Sequence, residues 1–279
     1  MSEQKAGSGL PRDLGPRLAS GVVLGAVALL LTWAGPTTFA LLVLAVALLV
    51  AWEWGRIVRR DGLDAIFAVH AVAVLSAGVL ALAGLTALGL LALAIGAILA
   101  ALLGFDRFGR VSAFGVLYSG VPAVSLIWIR SASPHGFEAA LFILTVVWAA
   151  DTGAYFIGRM VGGPKLMPAV SPNKTWSGFV GGLVASVLVA LALAGAIPAA
   201  STGRMVMIAL LFAVVAQAGD LMESALKRWH GVKDASSLIP GHGGFMDRVD
   251  GLIFVAVAAA LIAAWSDVLR PAATLLTWR

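Results

Sequence analysis

Residues 65–104 form one long apolar run, AIFAVHAVAVLSAGVLALAGLTALGLLALAIGAILAALLG. None of these forty residues is Asp, Glu, Lys or Arg, and small residues around Gly84 divide them into two parts. A helix needs about 20 apolar residues to cross the hydrocarbon core of a bilayer. Because both parts are apolar throughout, without alternation of polar and apolar side chains, they predict membrane-spanning helices rather than strands of a barrel.

Similar apolar runs recur along the chain and predict an all-α, polytopic transmembrane helix bundle of about nine spans. The predicted spans lie near residues 18–34, 37–54, 65–83, 85–104, 111–130, 137–158, 176–197, 204–226 and 249–269. We expect a cytoplasmic N-terminal tail at 1–17 and a single integral-membrane domain at 18–279. The first run is interpreted as an uncleaved span rather than a signal peptide, because a second apolar run follows within a few residues.

The composition excludes several classes of protein. Of the 279 residues, 61% are hydrophobic and 12% are charged, about half the charged share of a soluble domain. A soluble globular protein, a disordered chain and a disulfide-stabilised secreted domain are therefore excluded. The chain has no Cys, which excludes thiol catalysis, thiolate metal sites and disulfides, and its four His are too few for a His-rich metal site.

The Lys and Arg residues are distributed unevenly between the two sides of the predicted bundle. Fifteen of the 19 fall on the N-terminal tail and on the loops that follow even-numbered spans. Cytoplasmic loops carry an excess of Lys and Arg, so the N-terminus and two Gly/Pro-rich segments near 159–178 and 227–248 are predicted to be cytoplasmic. No basic stripe with interleaved aromatic residues occurs, so no nucleic-acid partner is predicted.

Four carboxylates lie within or at the edge of apolar runs, where a charge is costly: Glu53, Asp151, Asp220 and Glu223. Glu53 precedes Arg56 at a predicted helix end, which predicts an interfacial ion pair. Asp151 has both a structural and a functional interpretation. Asp220 and Glu223 are three residues apart and share a helix face, so they repel each other unless a cation or proton lies between them.

Residues 171–178, SPNKTWSG, bring many polar groups into a short segment. Pro172 interrupts any helix, and the next helix is predicted to begin near Thr175. Its free N–H groups and its dipole, together with Lys174, predict a binding site for an anion. An ordinary loop ending in a helix cap is the alternative interpretation.

The densest polar segment is 224–250. Its cations are Lys227, Arg228, Lys233 and Arg248. The glycine pair at 243–244 would let the backbone approach a ligand. Asp247 and Asp250 are three residues apart at the start of the ninth predicted span, and Asp220 is near the end of the eighth. The three carboxylates can therefore converge at one membrane depth. Carboxylate and phosphate oxygens suit Mg²⁺, and a metal beside cations predicts phosphoryl or nucleotidyl transfer. A solvated cytoplasmic loop is the alternative.

At the level of individual residues, segment 224–250 resembles the signature of the phosphatidate cytidylyltransferases, also called CDP-diacylglycerol synthases. The matching positions are Ser224, Lys227-Arg228, Lys233-Asp234, Pro240, His242-Gly243-Gly244, Asp247-Arg248 and Asp250. SPNKTW at 171–176 and DTGAY at 151–155 resemble family segments in the same order. Ser177 departs from the family, whose members commonly carry Glu or Gln there, and the first hundred residues match only in hydrophobicity and span count.

The resemblance implies that CMP is transferred from CTP to phosphatidate with Mg²⁺, giving CDP-diacylglycerol and pyrophosphate. It implies catalytic roles for Asp220, Asp247, Asp250 and Lys227, and the three Asp are also the expected metal ligands. The residues expected to bind substrate are Ser171, Asn173, Lys174, Ser224, Arg228, Lys233, His242, Gly243, Gly244, Arg248 and Asp151. A second cation and a homodimer are compatible with it. The expected location is the bacterial cytoplasmic (inner) membrane, among membrane lipids, with the active site facing the cytoplasm.

Three other functions compete with this interpretation. A proton- or cation-coupled transporter also carries intramembrane carboxylates, but it more often has broken helices in two repeated halves, and no repeat is visible here. A scaffold protein would not need three converging carboxylates. The nearest enzymatic alternative is a CTP-dependent polyprenol kinase. The pattern at 224–250 favours the cytidylyltransferase over this kinase.

Overall fold

The computed structural model describes residues 14–105, 108–238 and 243–278, with side chains described from residue 21 onward. Within these ranges the chain forms ten helices and one antiparallel two-stranded hairpin. The helices are α1 (Leu14–Ala34), α2 (Pro36–Arg59), α3 (Ala65–Leu82), α4 (Thr86–Leu103), α5 (Gly109–Ser131), α6 (Gly136–Val161), α7 (Trp176–Ala196), α8 (Thr202–Trp229), α9 (Met246–Asp267) and α10 (Pro271–Leu276). The strands are β1 (Lys165–Met167) and β2 (Ser171–Thr175).

Eight helices of the described part, α2 to α9, are long and apolar enough to cross a membrane. The prediction of a polytopic helix bundle is therefore confirmed. The first predicted span coincides with α1, but its apolar part with described side chains, Gly21–Ala34, is shorter than a span. The ninth span and the orientation of the bundle stay predictions.

The long apolar run at 65–104 divides where the sequence predicts. Helix α3 ends at Leu82 and α4 begins at Thr86. Gly84 between them has a φ of +80°, a left-handed conformation that glycine adopts without steric cost. The two halves of the run therefore pack as separate antiparallel helices.

Small residues hold α6 and α7 in close contact. A methyl group at Gly153 would lie 2.7 Å from the carbonyl oxygen of Gly181, and one at Gly182 would lie 2.8 Å from the carbonyl oxygen of Ala150. Small residues at such positions let membrane helices approach backbone to backbone. The contact fixes Asp151, which follows Ala150, relative to the start of α7.

A second close contact joins α8 and α9. A methyl group at Gly219 would lie 3.0 Å from the carbonyl oxygen of Asp250, and one at Gly251 would lie 3.2 Å from Cβ of Ala216. Asp220 and Asp250 are the sequence neighbours of these two glycines. The packing of α8 on α9 therefore brings both carboxylates to the same level of the bundle.

A small apolar cluster packs between α2, α5 and α9. Its buried members, which we call the α2–α5–α9 cluster, are Val50, Trp54, Ile57, Val58, Tyr118, Ala235, Met246 and Ile253. Trp54 is anchored to α5, because its Nε1 donates to the Val111 carbonyl at 3.0 Å and its ring lies 5.0 Å from that of Tyr118. Since Ala235 lies in the segment between α8 and α9 and Met246 begins α9, the cluster holds this segment against α2 and α5.

Asp64 connects α2 to α3. It is the N-cap of α3 and accepts a hydrogen bond from the Phe67 N–H at 2.8 Å, while Arg59 donates to both of its oxygens at 2.5 and 2.9 Å. Partial burial raises the pKa of the Asp64 carboxyl, but the hydrogen bonds from Arg59 and Phe67 outweigh it, so the pKa lies below its ordinary value of 3.8. Its contribution to stability is therefore present above about pH 4 and is lost as the pH falls through the lowered pKa.

Replacing Asp64 by Ala is expected to destabilise the protein at pH 7 by about 1–2 kcal/mol, because the helix cap and the ion pair are both lost. Asp64→Asn keeps a capping oxygen and should cost less. Thermal unfolding in detergent measures the effect, with the exposed Asp61→Ala as the control from the same loop. Equal unfolding midpoints for Asp64→Ala and Asp61→Ala would contradict the capping role.

Candidate active site

Carboxylates and basic side chains meet at one end of the bundle, where α6 and α8 end and α7 and α9 begin. This charged cluster consists of Asp151, Lys174, Asp220, Glu223, Lys227, Asp247, Arg248 and Asp250. Five carboxylates therefore face three cations in surroundings formed largely by apolar helices. The sequence predicts this convergence for α8 and α9, and the structure adds α6 and the strand before α7.

Asp220 forms an ion pair with Lys174. The Lys174 Nζ lies 2.6 Å from Asp220 Oδ2, and the Ser224 hydroxyl donates to Asp220 Oδ1 at 3.4 Å. Lys174 lies on β2, and Thr175, the next residue, caps α7 by accepting a hydrogen bond from the Gly178 N–H. The predicted helix start near Thr175 is confirmed, and the hairpin carries Lys174 over to α8.

Lys227 bridges two carboxylates. Its Nζ lies 2.9 Å from Glu223 Oε1, one helical turn earlier on α8, and it also donates to Asp247 Oδ1 on α9. The Glu223 side chain is fully buried, so Lys227 is the charge that compensates it. Lys227 is predicted from the sequence as a catalytic residue, and the structure gives it in addition a place in the packing of α8 on α9.

Asp247 organises the segment that joins α8 to α9. Its Oδ2 accepts hydrogen bonds from the backbone N–H groups of Ala235 at 3.0 Å and Gly244 at 2.8 Å. Gly243, at φ +79°, lies so close that a methyl group there would be 2.8 Å from the same oxygen. The Gly pair predicted to approach a ligand therefore approaches the Asp247 carboxylate.

Asp250 and Asp151 complete the charged cluster. Asp250 Oδ1 accepts a hydrogen bond from the N–H of Gly251 at 2.8 Å, and its charge interacts with those of Asp220, Glu223 and Asp151. Asp151, on α6, interacts in turn with Asp220 and with the cations Lys174 and Arg248. Carboxylates gathered in this way repel one another, so the cluster favours binding of a further cation.

The remaining predicted substrate residues lie around the charged cluster. Ser171 and Asn173 are on β2, half-buried and exposed respectively. Arg228 and Lys233 are exposed at and after the end of α8, where Arg228 Nη1 donates to the Val232 carbonyl. His242 lies outside the described residues.

Ser177, the position that departs from the family pattern, joins α7 to the end of α6. Its hydroxyl donates to the carbonyl of Gly162 and lies 3.0 Å from the Thr175 hydroxyl. A serine at this position therefore helps to place the α7 N-terminus beside the charged cluster.

Glu53 corrects one sequence prediction. Its predicted ion pair with Arg56 is not formed, and the Arg56 guanidinium lies instead 4.9 Å from the ring centroid of Trp52. Glu53 is fully buried and accepts hydrogen bonds from Ser236, from the N-cap residue of α9 and from the first residue of α9. The signal for this role was present in the sequence, since a carboxylate in an apolar run needs buried donors, but its distant partners could not be identified.

The described residues do not include three acidic or histidine side chains close enough together to hold one metal ion. The predicted metal ligands Asp220 and Asp247 are each paired with a lysine, whereas Asp250 has carboxylates as its charged neighbours. A metal site at these residues therefore stays a prediction.

Comparison with known proteins agrees with the sequence signature. The chain matches the cytidylyltransferase family over residues 16–265. A protein of Brucella suis biovar 1 described as a phosphatidate cytidylyltransferase is 39% identical over 253 residues, which cover 90% of this chain and 92% of that protein. Proteins of the same description from Bacillus subtilis and Staphylococcus saprophyticus are 39% and 38% identical over 153 and 152 residues, or 54% of this chain.

Replacing Lys227 by Met is expected to destabilise the protein by about 3–5 kcal/mol, because Glu223 and Asp247 would be left without their shared cation. The double variant Lys227→Met/Glu223→Gln should regain part of this loss, since it removes one uncompensated charge. The measurement is thermal unfolding in detergent, with Lys233→Met as the exposed control. A double variant no more stable than Lys227→Met would contradict the bridging role.

Proposed function

Since the chain belongs to the cytidylyltransferase family, we infer that it transfers CMP from CTP to phosphatidate and releases CDP-diacylglycerol and pyrophosphate. The observation that carries this function is the 39% identity to a phosphatidate cytidylyltransferase over 92% of that protein's length. The charged cluster supports it, because a reaction between two phosphate compounds needs several cations at one place.

The reaction joins a lipid phosphate to a nucleotide. An oxygen of the phosphatidate phosphate forms a bond to the α-phosphorus of CTP, the bond from that phosphorus to the bridging oxygen of the β-phosphate breaks, and pyrophosphate leaves with the electron pair. The attacking phosphate is already ionised at neutral pH, so a strong general base is not needed. The protein has to hold two anions in line and to spread the charge of the transition state.

The cations of the cluster and its surroundings would neutralise these anions. Lys174 and Lys227 are held by carboxylates and can exchange those partners for phosphate oxygens. Arg228 at the end of α8 and Lys233 after it are exposed, and Arg248 lies in the first turn of α9. Polar and backbone donors for the substrates would come from Ser171, Asn173, Ser224, His242, Gly243 and Gly244. Asp151 would contact the cytosine or ribose, or fix the helix packing near them.

The oxygen ligands of the cluster fit Mg²⁺, which takes few protein carboxylates and fills its remaining positions with water and substrate phosphates. Asp220, Asp247 and Asp250 would hold the ion, in place of the lysines that now neutralise the first two. A bound ion would neutralise developing charge on the phosphate oxygens. Dependence on Mg²⁺ and a second cation are parts of this proposal.

The position of the charged cluster at one end of the bundle suits one soluble and one lipid substrate. Phosphatidate can enter between helices with its acyl chains in the bilayer, and CTP can enter from water. We place the site on the cytoplasmic face of a bacterial inner membrane, because the loops at this end carry most of the Lys and Arg. A homodimer is a further part of the proposal, which the small-residue helix faces favour.

Purified protein given labelled CTP, phosphatidate and Mg²⁺ is expected to produce label that extracts with lipid. Omitting phosphatidate or chelating the metal should abolish the product. Asp250→Asn should lower turnover by about 100-fold or more, because it removes a charge from the centre of the cluster. Asp267→Asn, at the opposite end of α9, serves as the control. Absence of lipid product from the wild type under varied lipid compositions would contradict the function.

Lys174→Ala is expected to raise the KM for CTP or for phosphatidate about tenfold, which corresponds to about 1.4 kcal/mol of lost binding. The physical reason is the loss of a cation that can contact phosphate oxygens beside Asp220. Steady-state kinetics with each substrate varied in turn measure the effect. Lys165→Ala, an exposed lysine on β1 of the same hairpin, is the matched control. Unchanged KM values for both substrates would rule out Lys174 as a substrate ligand.

A further inference from the structure

Glu53 is a buried carboxylate of α2 whose hydrogen-bond donors come from the other half of the sequence. Its Oε1 accepts from the Ser236 hydroxyl at 2.5 Å and from the Phe245 N–H at 2.9 Å, and its Oε2 accepts from the Met246 N–H at 2.7 Å. The residue has 0% of its surface exposed. These three donors are neutral, so the carboxylate is held by a hydroxyl and two amides.

The contacts of Glu53 interlock with those of Asp247. Asp247 accepts from the N–H groups of Ala235 and Gly244, and Glu53 accepts from the next residue after each of them. Asp247 on α9 and Glu53 on α2 therefore bind adjacent residues at two points of the segment between α8 and α9. A shift of the segment at either point would break contacts to both carboxylates.

Glu53 also caps α9. The helix begins at Met246, and its N-cap residue Phe245 supplies no capping side chain. The first N–H groups of a helix have no partner inside it, and Glu53 accepts from two of those that need one. A negative charge at a helix N-terminus is further stabilised by the helix dipole. Because Asp247 and Asp250 lie in the first two turns of α9, their directions depend on this cap.

The packing around Glu53 leaves it little freedom. A methyl group at Gly244 would lie 2.3 Å from Glu53 Oε1, so the backbone of the segment rests directly on the carboxylate. Trp54, the next residue of α2, belongs to the α2–α5–α9 cluster together with Met246. Apolar packing thus holds the two helices at the distance that the hydrogen bonds require.

We propose that Glu53 is a positioning residue of the active site, which fixes the first turn of α9 so that Asp247 and Asp250 face the charged cluster. Glu53 acts through these two residues and touches no substrate itself. The proposal rests on the proposed function, because the reaction is what the two aspartates are positioned for. It assigns a role in the active site to a helix of the chain's first hundred residues.

Glu53 accepts three hydrogen bonds on its two oxygens, and only a carboxylate can accept at both positions. A carboxylate offers acceptors on both oxygens, whereas the amide of a glutamine offers one acceptor and one donor group. In Glu53→Gln, the amide NH₂ would therefore face the backbone N–H of Phe245 or of Met246, in one orientation or the other, and leave it unsatisfied. An isosteric change is expected to disturb the cap without creating a cavity.

The experiment compares Glu53→Gln, Glu53→Ala and the milder Ser236→Ala with wild type. The matched control is Glu138→Gln, a partly exposed glutamate near the start of α6 at the opposite end of the bundle. Three measurements are made on the full-length protein in detergent: steady-state kinetics that give kcat and KM with CTP and phosphatidate, thermal unfolding, and hydrogen–deuterium exchange of peptides covering residues 243–250 and 205–216.

We expect kcat to fall about tenfold in Glu53→Gln and about 100-fold in Glu53→Ala, the range found when a residue that orients active-site ligands is removed. Ser236→Ala removes one of the three contacts and should show a smaller fall. Exchange at residues 243–250 should become faster in the same order, while exchange at residues 205–216 stays at the wild-type rate. Glu138→Gln should match wild type in all three measurements.

Two results would overturn the proposal. One is wild-type kcat in Glu53→Gln and Ser236→Ala, which would mean that the contacts do not serve the reaction. The other is exchange that accelerates equally at 205–216, which would make Glu53 a general stabilising residue. The wild type alone tests the proposed function: if it makes no CDP-diacylglycerol, that function fails, and local exchange at 243–250 still decides whether Glu53 anchors α9.

Discussion

A carboxylate in apolar surroundings persists only when cations or hydrogen-bond donors surround it, and this requirement organises one end of the helix bundle. Four of the acids here have such a partner from another element or from another turn of the same helix. Asp220 is paired with Lys174, Glu223 shares Lys227 with Asp247, and Glu53 is held by neutral donors. Because a buried charge without partners is costly, these acids require contacts between parts of the chain that are far apart in sequence.

These contacts define the candidate active site because they fix its geometry. Lys174 ties the hairpin to α8, and Lys227 ties α8 to α9. Close glycine contacts join α6 to α7 and α8 to α9. The carboxylates of the charged cluster outnumber its cations, so the contacts that hold these elements together leave a surplus of negative charge at this end of the bundle. The residues proposed to bind metal and phosphate are therefore among those that fix the packing of the helices.

Local features of the fold could be predicted from the sequence, and distant pairings could not. Apolar runs locate α2 to α9, Gly84 marks the break between two helices, and Thr175 marks the start of a third, because each of these signals consists of residues that are near one another in the sequence. The hairpin at 165–175 escaped prediction, since its strands are only three and five residues long. The role of Glu53 escaped as well, because nothing near Glu53 identifies Ser236 or Met246 as its partners.

The sequence separation of the Glu53 contacts has a consequence for biosynthesis. Its three donors lie 183 to 193 residues further along the chain. At about 5–20 residues per second, a ribosome needs roughly 10–40 s to make that length. During this interval the nascent chain carries a Glu53 carboxylate whose hydrogen-bond donors have not yet been synthesised. The contacts of α2 can therefore be completed only after the start of α9 has been made.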